Sequence, residues 1–447
     1  MSDYSTPIRL HLGTGPTSAR QLAEALGTSQ PTVSRALSEL GDEIVRIGAA
    51  RSIQYALRDP ARGLPDIPIY RVDPEGRIYL IGTLTVVRPD GFVMQEIDGT
   101  TRHSDDLPWW LSDMRPQGYL GRAYVRRHAS ELALPERLSD WTSTHTLKAL
   151  LAHGHDVVGN LLLGERAREH FLVHPSPAPI EADQKIEIYP RMAREAAQGD
   201  LPGSSAGGEQ PKFTAYAMTP NGPRHVLVKF SEPEESPVSE RWRDLLLAEH
   251  LALETLRTGN IPAATTRIID SNHQRFLEVE RFDRIGTLGR RAVFSLAALD
   301  AEFVGQGRGG WPLIAQQLAN QKVIRKNAIE TINLLWAFGT LIGNSDMHSG
   351  NLSFVADHGR PYEVAPAYDM TPMAFQPRSG GGLPDTLPAA TIAAHVPNDT
   401  WRRALTLAND FQHQLLDSAG FSQRFGPCIA SLGNHITAAA SMIERLG

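Results

Sequence analysis

The chain has 447 residues, enough for two or three domains. Its formal net charge of −6 excludes a surface coated in basic side chains, so any nucleic-acid contact must be local; hydrophobic content of 41% and charged content of 21% are ordinary for a globular protein. A single cysteine, Cys428, excludes an internal disulfide and a cysteine-built zinc site. No run of about eighteen apolar residues calls for a membrane span. The first residues lack the basic-then-apolar pattern of a secretory leader, so the expected location is the cytoplasm, with no membrane partner.

Residues 1–60 read as a winged helix-turn-helix domain. Ala19 to Leu26 is amphipathic, Gly27-Thr28-Ser29 is a tight turn, and Ser29 caps a second helix from Gln30 to Leu40 with Pro31 in its first turn. Val33, Ala36, Leu37 and Leu40 form the buried stripe of that helix. The opposite face offers Gln30, Thr32, Ser34 and Arg35, side chains of the kind that read base edges and phosphates in a major groove. Strands Ile44 to Ile47 and Ser52 to Leu57 follow as a wing, with Arg51 at its tip as a further DNA contact. The segment's charge is nearly balanced, and a homodimer would double the contacts.

Arg58 to Pro68 reads as a linker rich in Pro, Gly and charge. Arg77 to Val87 and Gly91 to Ile97 alternate around Pro89-Asp90-Gly91 as a hairpin. Trp109 and Trp110 read as packing anchors. His153 and His155, with no further clustered ligands, read as turn and surface residues rather than a metal site.

Pro202 to Phe213 is rich in small residues, which let backbone N–H groups approach an anion closely. Thr214 to Ala217 and His225 to Phe230 read as strands, with Lys229 near the end of VLVKF. A lysine placed on a strand after a Gly-rich loop fits a protein-kinase-like lobe; the spacing departs from the Walker form, in which Lys follows the glycines directly. An acidic residue of the helix Glu240 to Thr258 is expected to pair with Lys229, Glu249 being one option. A hairpin around Ser271-Asn272 leads into Glu280-Arg281-Phe282, a segment joining a β-rich half to a helical half, where adenine would bond to backbone atoms.

The third stretch, Gly343 to Asp369, carries the densest polar set. A helix from Asn327, with Asn327 and Glu330 spaced as a capping box, delivers the chain to Gly343-Asn344. Asp346 and Asn351 then lie in a loop before the strand Leu352 to Val355. A second strand, Tyr362 to Ala365, places Asp369 just past its end. A base, an amide and a carboxylate on neighbouring loop ends suit phosphoryl transfer, in which Asp346 orients a hydroxyl while Asn351 and Asp369 hold Mg²⁺ against ATP phosphates. Thr371 to Leu387 reads as a loop beside the site, and the remainder from Thr400 as helical.

The ordered motifs GGEQPKF, VLVKF, VERFDR, GNSDMHSGN and PAYDM resemble those of the HipA-like serine/threonine kinases of bacterial toxin–antitoxin systems, most of all the YjjJ-type members with their own N-terminal helix-turn-helix. The resemblance implies an α+β chain: the winged domain, a β-rich N-terminal lobe at 69–285 and a helical catalytic lobe at 286–447. It implies ATP and Mg²⁺ as cofactors, Asp346 as the catalytic aspartate with His348 in the D-x-H-x-x-N motif, and Asn351 and Asp369 as metal ligands. Lys229 would bind phosphate, with Tyr368 beside Asp369, and Glu280, Arg281 and Phe282 would form the adenine hinge. Ser205, Ala206, Gly207, Gly208, Gln210 and Lys212 would belong to the phosphate-covering loop, with Ser204 or Ser205 as the autophosphorylated serine. It further implies a protein substrate, such as an aminoacyl-tRNA synthetase or another translation factor. Relatives commonly bind a separate antitoxin, a partner the built-in winged domain puts in question. The alternative reading is a DNA-binding regulator whose kinase-like body only binds nucleotide; a small-molecule phosphotransferase is a third.

Overall fold

The computed structural model describes residues 4–49, 52–173, 178–198, 210–307 and 309–445. Helix α1 (Ser5–Leu12) precedes the expected elements; no side-chain cap marks its start and it buries only Ile8 and Leu12, so the sequence pattern does not foretell it. Helix α2 (Ala19–Ala25) starts at Ser18, which forms a capping box with Gln21. Helix α3 (Gln30–Leu40) starts at Ser29, whose hydroxyl accepts from Thr32 N–H. Val33, Leu37 and Leu40 pack against Ile8, Leu12 and Leu22. Strands β1 (Ile44–Ile47) and β2 (Gln54–Leu57) pair antiparallel. This hairpin leans on the next sheet: Val45, Ile47 and Ala56 meet Val87 and Val93, and Gly48 N–H donates to Thr101 Oγ1 at 2.6 Å. Arg51 lies outside the described residues.

The next sheet is antiparallel, in the order β6 (Thr101–Ser104), β5 (Phe92–Glu96), β4 (Ile78–Val86), β3 (Ile67–Val72), β7 (Leu161–Leu163). The β4–β5 hairpin is the one the alternation predicts; β3 begins inside the expected linker, and β6 and β7 are too short for a sequence signal. Helices α4 (Gly118–His128), α5 (Ser143–His153) and α6 (Gly164–Val173) accompany it, and Ile67, Leu84, Phe92, Leu111 and Leu147 form its core. His153 and His155 correct the expectation of surface residues. They are half-buried, His153 against His128 at 4.2 Å between ring centroids and His155 stacked on His170 at 3.7 Å. Burial, with His170 alongside, pushes His155 down to about 4.

A second antiparallel sheet follows, in the order β10 (Thr266–Ser271), β11 (Gln274–Glu280), β9 (Gly222–Phe230), β8 (Lys212–Thr219). Helix α7 (Lys185–Gln198) packs Tyr189 and Ala193 on its inner face, against Phe213, Val228 and Phe276. Lys185 Nζ bonds Glu278 Oε2 at 2.6 Å and Met218 O at 2.7 Å, a pair closed off from solvent. The span expected as one β-rich lobe thus contains two sheets with separate cores.

Helix α8 (Pro237–Thr258) ties this sheet to the helical half. Leu246 meets Leu277 and Val279, while Leu245, Ala252, Leu253 and Leu256 enter the C-terminal core. That half holds the short ladder β12 (Arg284–Ile285) with β13 (Gly289–Arg290), and the sheet β14 (Val293–Ser295), β15 (Ser353–Val355), β16 (Glu363–Val364). Around it pack α9 (Leu296–Phe303), α10 (Gly310–Asn320), α11 (Ala328–Leu341), α12 (Asn398–Asp417) and α13 (Gly426–Glu444), with Trp311, Phe338, Trp401 and Phe411 at the centre. The capping box expected at Asn327 is absent: Asn327 is itself helical (φ −67°, ψ −19°) and its side chain makes no cap bond. Burial of Ile332, Leu335, Phe338 and Leu341 holds α11 instead. Among the described residues no helix is long and apolar enough to cross a membrane.

Candidate active site

Strand alternation aims Lys229. Val226, Val228 and Phe230 point into the core under the sheet, so Leu227 and Lys229 face the other way, towards α8 and the C-terminal half. The Lys229 ammonium is buried and donates to both Glu249 oxygens, at 2.6 and 2.8 Å, and to Asp369 Oδ1. Of the acidic residues on α8, Glu249 is therefore the partner; it also accepts from Thr371 Oγ1 at 3.0 Å. Burial alone would discharge the lysine, but Asp369 and Glu249 reverse this and raise its pKa. Lys212 sits directly opposite Lys229 on β8 and is equally buried.

Asp369 reaches this point because the chain before it bridges to the segment entering β10: Ala264 N–H donates to Ala367 O, and Ala367 N–H to Pro262 O, both at 2.9 Å. Asp369 then takes a left-handed backbone (φ +54°), a region that Asp enters more readily than most non-glycine residues. Burial pushes its carboxyl up, yet Lys229, Lys212 and His348 outweigh this and hold it below the usual carboxylate range.

Asn344 completes the bracket. It is buried; its amide donates to Asp369 O at 3.2 Å and its carbonyl accepts from Asp346 N–H at 3.0 Å. Asn351 Nδ2 donates to Asp346 O at 2.9 Å, fixing the loop from the other side. The sequence reading takes Asn344 only as a helix-ending residue; its place two before Asp346, where Asn commonly forms a local turn, is the signal available. Asp346 is exposed. Desolvation at its crowded edge, with Asp369 adding to it, raises its pKa although His348, Lys229 and Lys212 pull the other way.

Several of these groups border a cavity of about 350 Å³, although Asp346 and Asn344 are not among its lining residues. Lys212, Lys229, Glu249, Asn351, His348 and Asp369 line its polar end; Leu227, Val279, Phe282 and Val293 line the rest. Tyr368 donates to Gly350 O at 2.8 Å, pairs with Ser353 at 2.7 Å, and lies 5.7 Å from the Phe282 ring. Glu280 and Arg281 line the cavity with their side chains committed elsewhere. Glu280 accepts from Thr219 and Asn221, while Arg281 pairs with Asp283 and with Asp156 from the first sheet's side. Asp113, carried by a short helical turn after the tryptophans, also lines the cavity; it accepts from Ser295 N–H and Oγ, both at 2.6 Å, and no motif points to it. Gln210 is described but does not line the cavity. Ser204, Ser205, Ala206, Gly207 and Gly208 lie outside the described residues. Thr371 to Leu387, expected as a loop beside the site, is anchored by Arg241, which donates to Phe375 O at 2.8 Å and Pro384 O at 2.6 Å.

Comparison with known proteins defines the class first. A family described as the HipA-like C-terminal domain matches residues 204–438. A chain of the Shewanella oneidensis MR-1 toxin–antitoxin complex of HipA, HipB and operator DNA shares the fold, with TM-score 0.51 at 16% identity, covering 85% of this chain and 97% of that one. The Helicobacter pylori proinflammatory kinase CtkA aligns at TM-score 0.39 and 14% identity over 53% of this chain and 94% of that one.

The family is narrower than that class. Residues 64–172 match the description "YjjJ-like toxin, middle domain", and the chain is 39% identical over 435 residues to Toxin YjjJ of Escherichia coli (strain K12), covering 97% of this chain and 98% of that protein. The chain belongs to the YjjJ family of HipA-like toxins.

Proposed function

We propose that the protein is an ATP- and Mg²⁺-dependent serine/threonine protein kinase. One observation carries the reading: Lys229 on β9, Glu249 on α8 and Asp369 after β16 converge on one ammonium group, beside Asn351 and a cavity able to hold a nucleotide.

The residues fit both cofactors. Among the described residues no group of three or more His, Cys, Asp or Glu side chains is arranged to hold a metal ion. A cation here would rest on Asn351 and Asp369, a sparse set that suits Mg²⁺, which keeps several waters and shares substrate phosphates. The backbone from Glu280 to Phe282 would take the base, and Lys229 and Lys212 the phosphates. Bound ATP with Mg²⁺ supplies the transferable phosphoryl group and neutralises charge as it moves. Asp346, which is exposed, receives the hydroxyl proton of the acceptor. Glu249 holds Lys229 in place, and Asn344 and Asn351 hold the Asp346 loop.

Growth arrest through a phosphorylated protein is the accompanying proposal, since the relatives are named toxins. Asp346→Ala is the test of the base. Asp346 is exposed, so the fold should persist while transfer from labelled ATP falls by about 10²–10⁴. Retained labelling in that variant refutes the role.

A DNA-binding role for residues 1–60 stands beside it, motivated by α3, on which Gln30, Ser34 and Arg35 are exposed and Thr32 partly so. The HipA relative was solved with operator DNA. A promoter gel shift run beside ATP labelling, with and without Asp369→Asn, separates the two activities. A shift with no labelling in the wild type would favour a regulator that only binds nucleotide.

A further inference from the structure

A second cavity, of about 310 Å³, lies between the first sheet and the C-terminal half. Met94 and Trp110 come to it from the first unit, Phe294 and Tyr362 from the other; Val158, Val293 and Asp113 form the wall it shares with the candidate active site. Its size is that of a small-molecule site built at a domain junction, and its lining mixes these side chains with three carboxylates already committed: Glu96 to Arg102, Asp357 to Arg291 and Asp113 to Ser295.

Two polar groups in it are unspent. Asn160 and Tyr362 are both more than nine-tenths buried, at 9% and 7% exposure. Among the described residues, neither the Asn160 carboxamide nor the Tyr362 hydroxyl has a hydrogen-bond partner. Neither is sealed off, because buried atoms closed to solvent and lacking a partner occur elsewhere in the chain but not at these two residues. Their polar atoms therefore open into the cavity. An amide and a hydroxyl that face a cavity and are spent on no protein partner are free to bond a ligand in place of solvent. Arg71 and Arg102 stand at the mouth. Arg102 is paired with Glu96 at 3.2 Å, whereas Arg71 is exposed and has no carboxylate partner among the described residues.

We propose that this cavity binds a planar heteroaromatic acid. The aromatic and thioether walls take the ring. The Asn160 carboxamide pairs with a donor–acceptor edge of the kind a nucleobase or a ring amide presents, as an Asn side chain does with adenine. Tyr362 adds one hydrogen bond, and Arg71 takes the anionic group in its planar fork. Such an acid comes from two sources, a nucleoside monophosphate or a heteroaromatic carboxylate, with the ring recognised in the same way.

The test titrates the full-length protein by calorimetry and tryptophan emission with adenosine, guanosine and uridine monophosphates, and with pyridine and indole carboxylates. Each titration is run with and without a saturating non-hydrolysable ATP analogue. The expected result is binding by one arm of the panel, persisting with the analogue present and weakened roughly tenfold in Asn160→Leu and in Arg71→Ala. Arg71 is exposed, so its variant folds regardless of the buried site; Tyr362→Phe, which removes only a hydroxyl, gives a smaller loss in the same direction. No binding by any probe overturns the proposal. So does binding unchanged in Arg71→Ala and Tyr362→Phe, and so does binding displaced by the analogue, which would place the probe in the other cavity.

Discussion

Lys229→Met removes the ammonium and keeps most of the side chain's volume. Among the described residues Glu249, 1% exposed, then keeps only the Thr371 hydroxyl as a donor, and Asp369 loses the Lys229 ammonium. Breaking a buried ion pair from one side costs about 3–5 kcal/mol, because the remaining charge stays desolvated. The deficit should depend on pH. Burial already raises the Glu249 pKa against the pull of Lys229, and without the lysine it rises further. A carboxyl whose folded pKa is raised holds its proton better folded than unfolded, so stability increases as pH falls and is lost as pH rises through the folded pKa. The deficit is therefore largest at neutral pH and above, and shrinks on acidification towards that raised pKa. Urea unfolding followed by near-UV circular dichroism at neutral and mildly acidic pH measures it. In Lys229→Met/Glu249→Leu the stranded Glu249 charge is gone and part of the loss should return, the remainder reflecting Asp369 without its cation. A single-variant deficit below about 1 kcal/mol, the range of an exposed pair, would refute the reasoning. A double variant no more stable than the single one would do the same.

Lys185→Met should cost a similar 3–5 kcal/mol or so, since it strands Glu278 under the second sheet; a loss under about 1 kcal/mol would show that Tyr189, 2.5 Å from the same carboxylate oxygen, compensates. The pKa of Asp346 is raised and the residue must be ionised to accept a proton, so kcat/KM should fall on the acid side through a midpoint above the ordinary carboxylate value. His348 lowers that pKa, so His348→Ala should move the acid limb to higher pH, and an unmoved limb assigns it to another group. Arg35→Ala should weaken DNA retention and reduce the slope of log K against log salt by roughly one; an unchanged slope places Arg35 off the phosphates.

Local chemistry in the sequence was enough to locate α3 with its Ser29 cap, the β4–β5 hairpin, and β9 with Lys229. In each, a cap, a turn or an alternation lies within about ten residues of what it determines. Asp346 and Asn351 share one loop five residues apart, whereas Asp369 lies 18 residues further on and is brought beside them by the bridge between Ala263 and Ala367. What the sequence left open was long-range. Glu249 was one acidic residue among several on α8 until packing of Leu245 and Leu253 into the C-terminal core fixed the helix's rotation. Asn344 resembled a helix end, and only the arrival of Asp369, 25 residues on, gave its amide a second partner. The expected Asn327 capping box did not form, because burial of α11 holds the helix without it. The second cavity was invisible in the sequence, since Asn160 and Tyr362 lie some two hundred residues apart and meet only where two domains pack together. Backbone preference and side-chain period act over a few residues, whereas a pocket is made by surfaces the chain brings together only after it has folded.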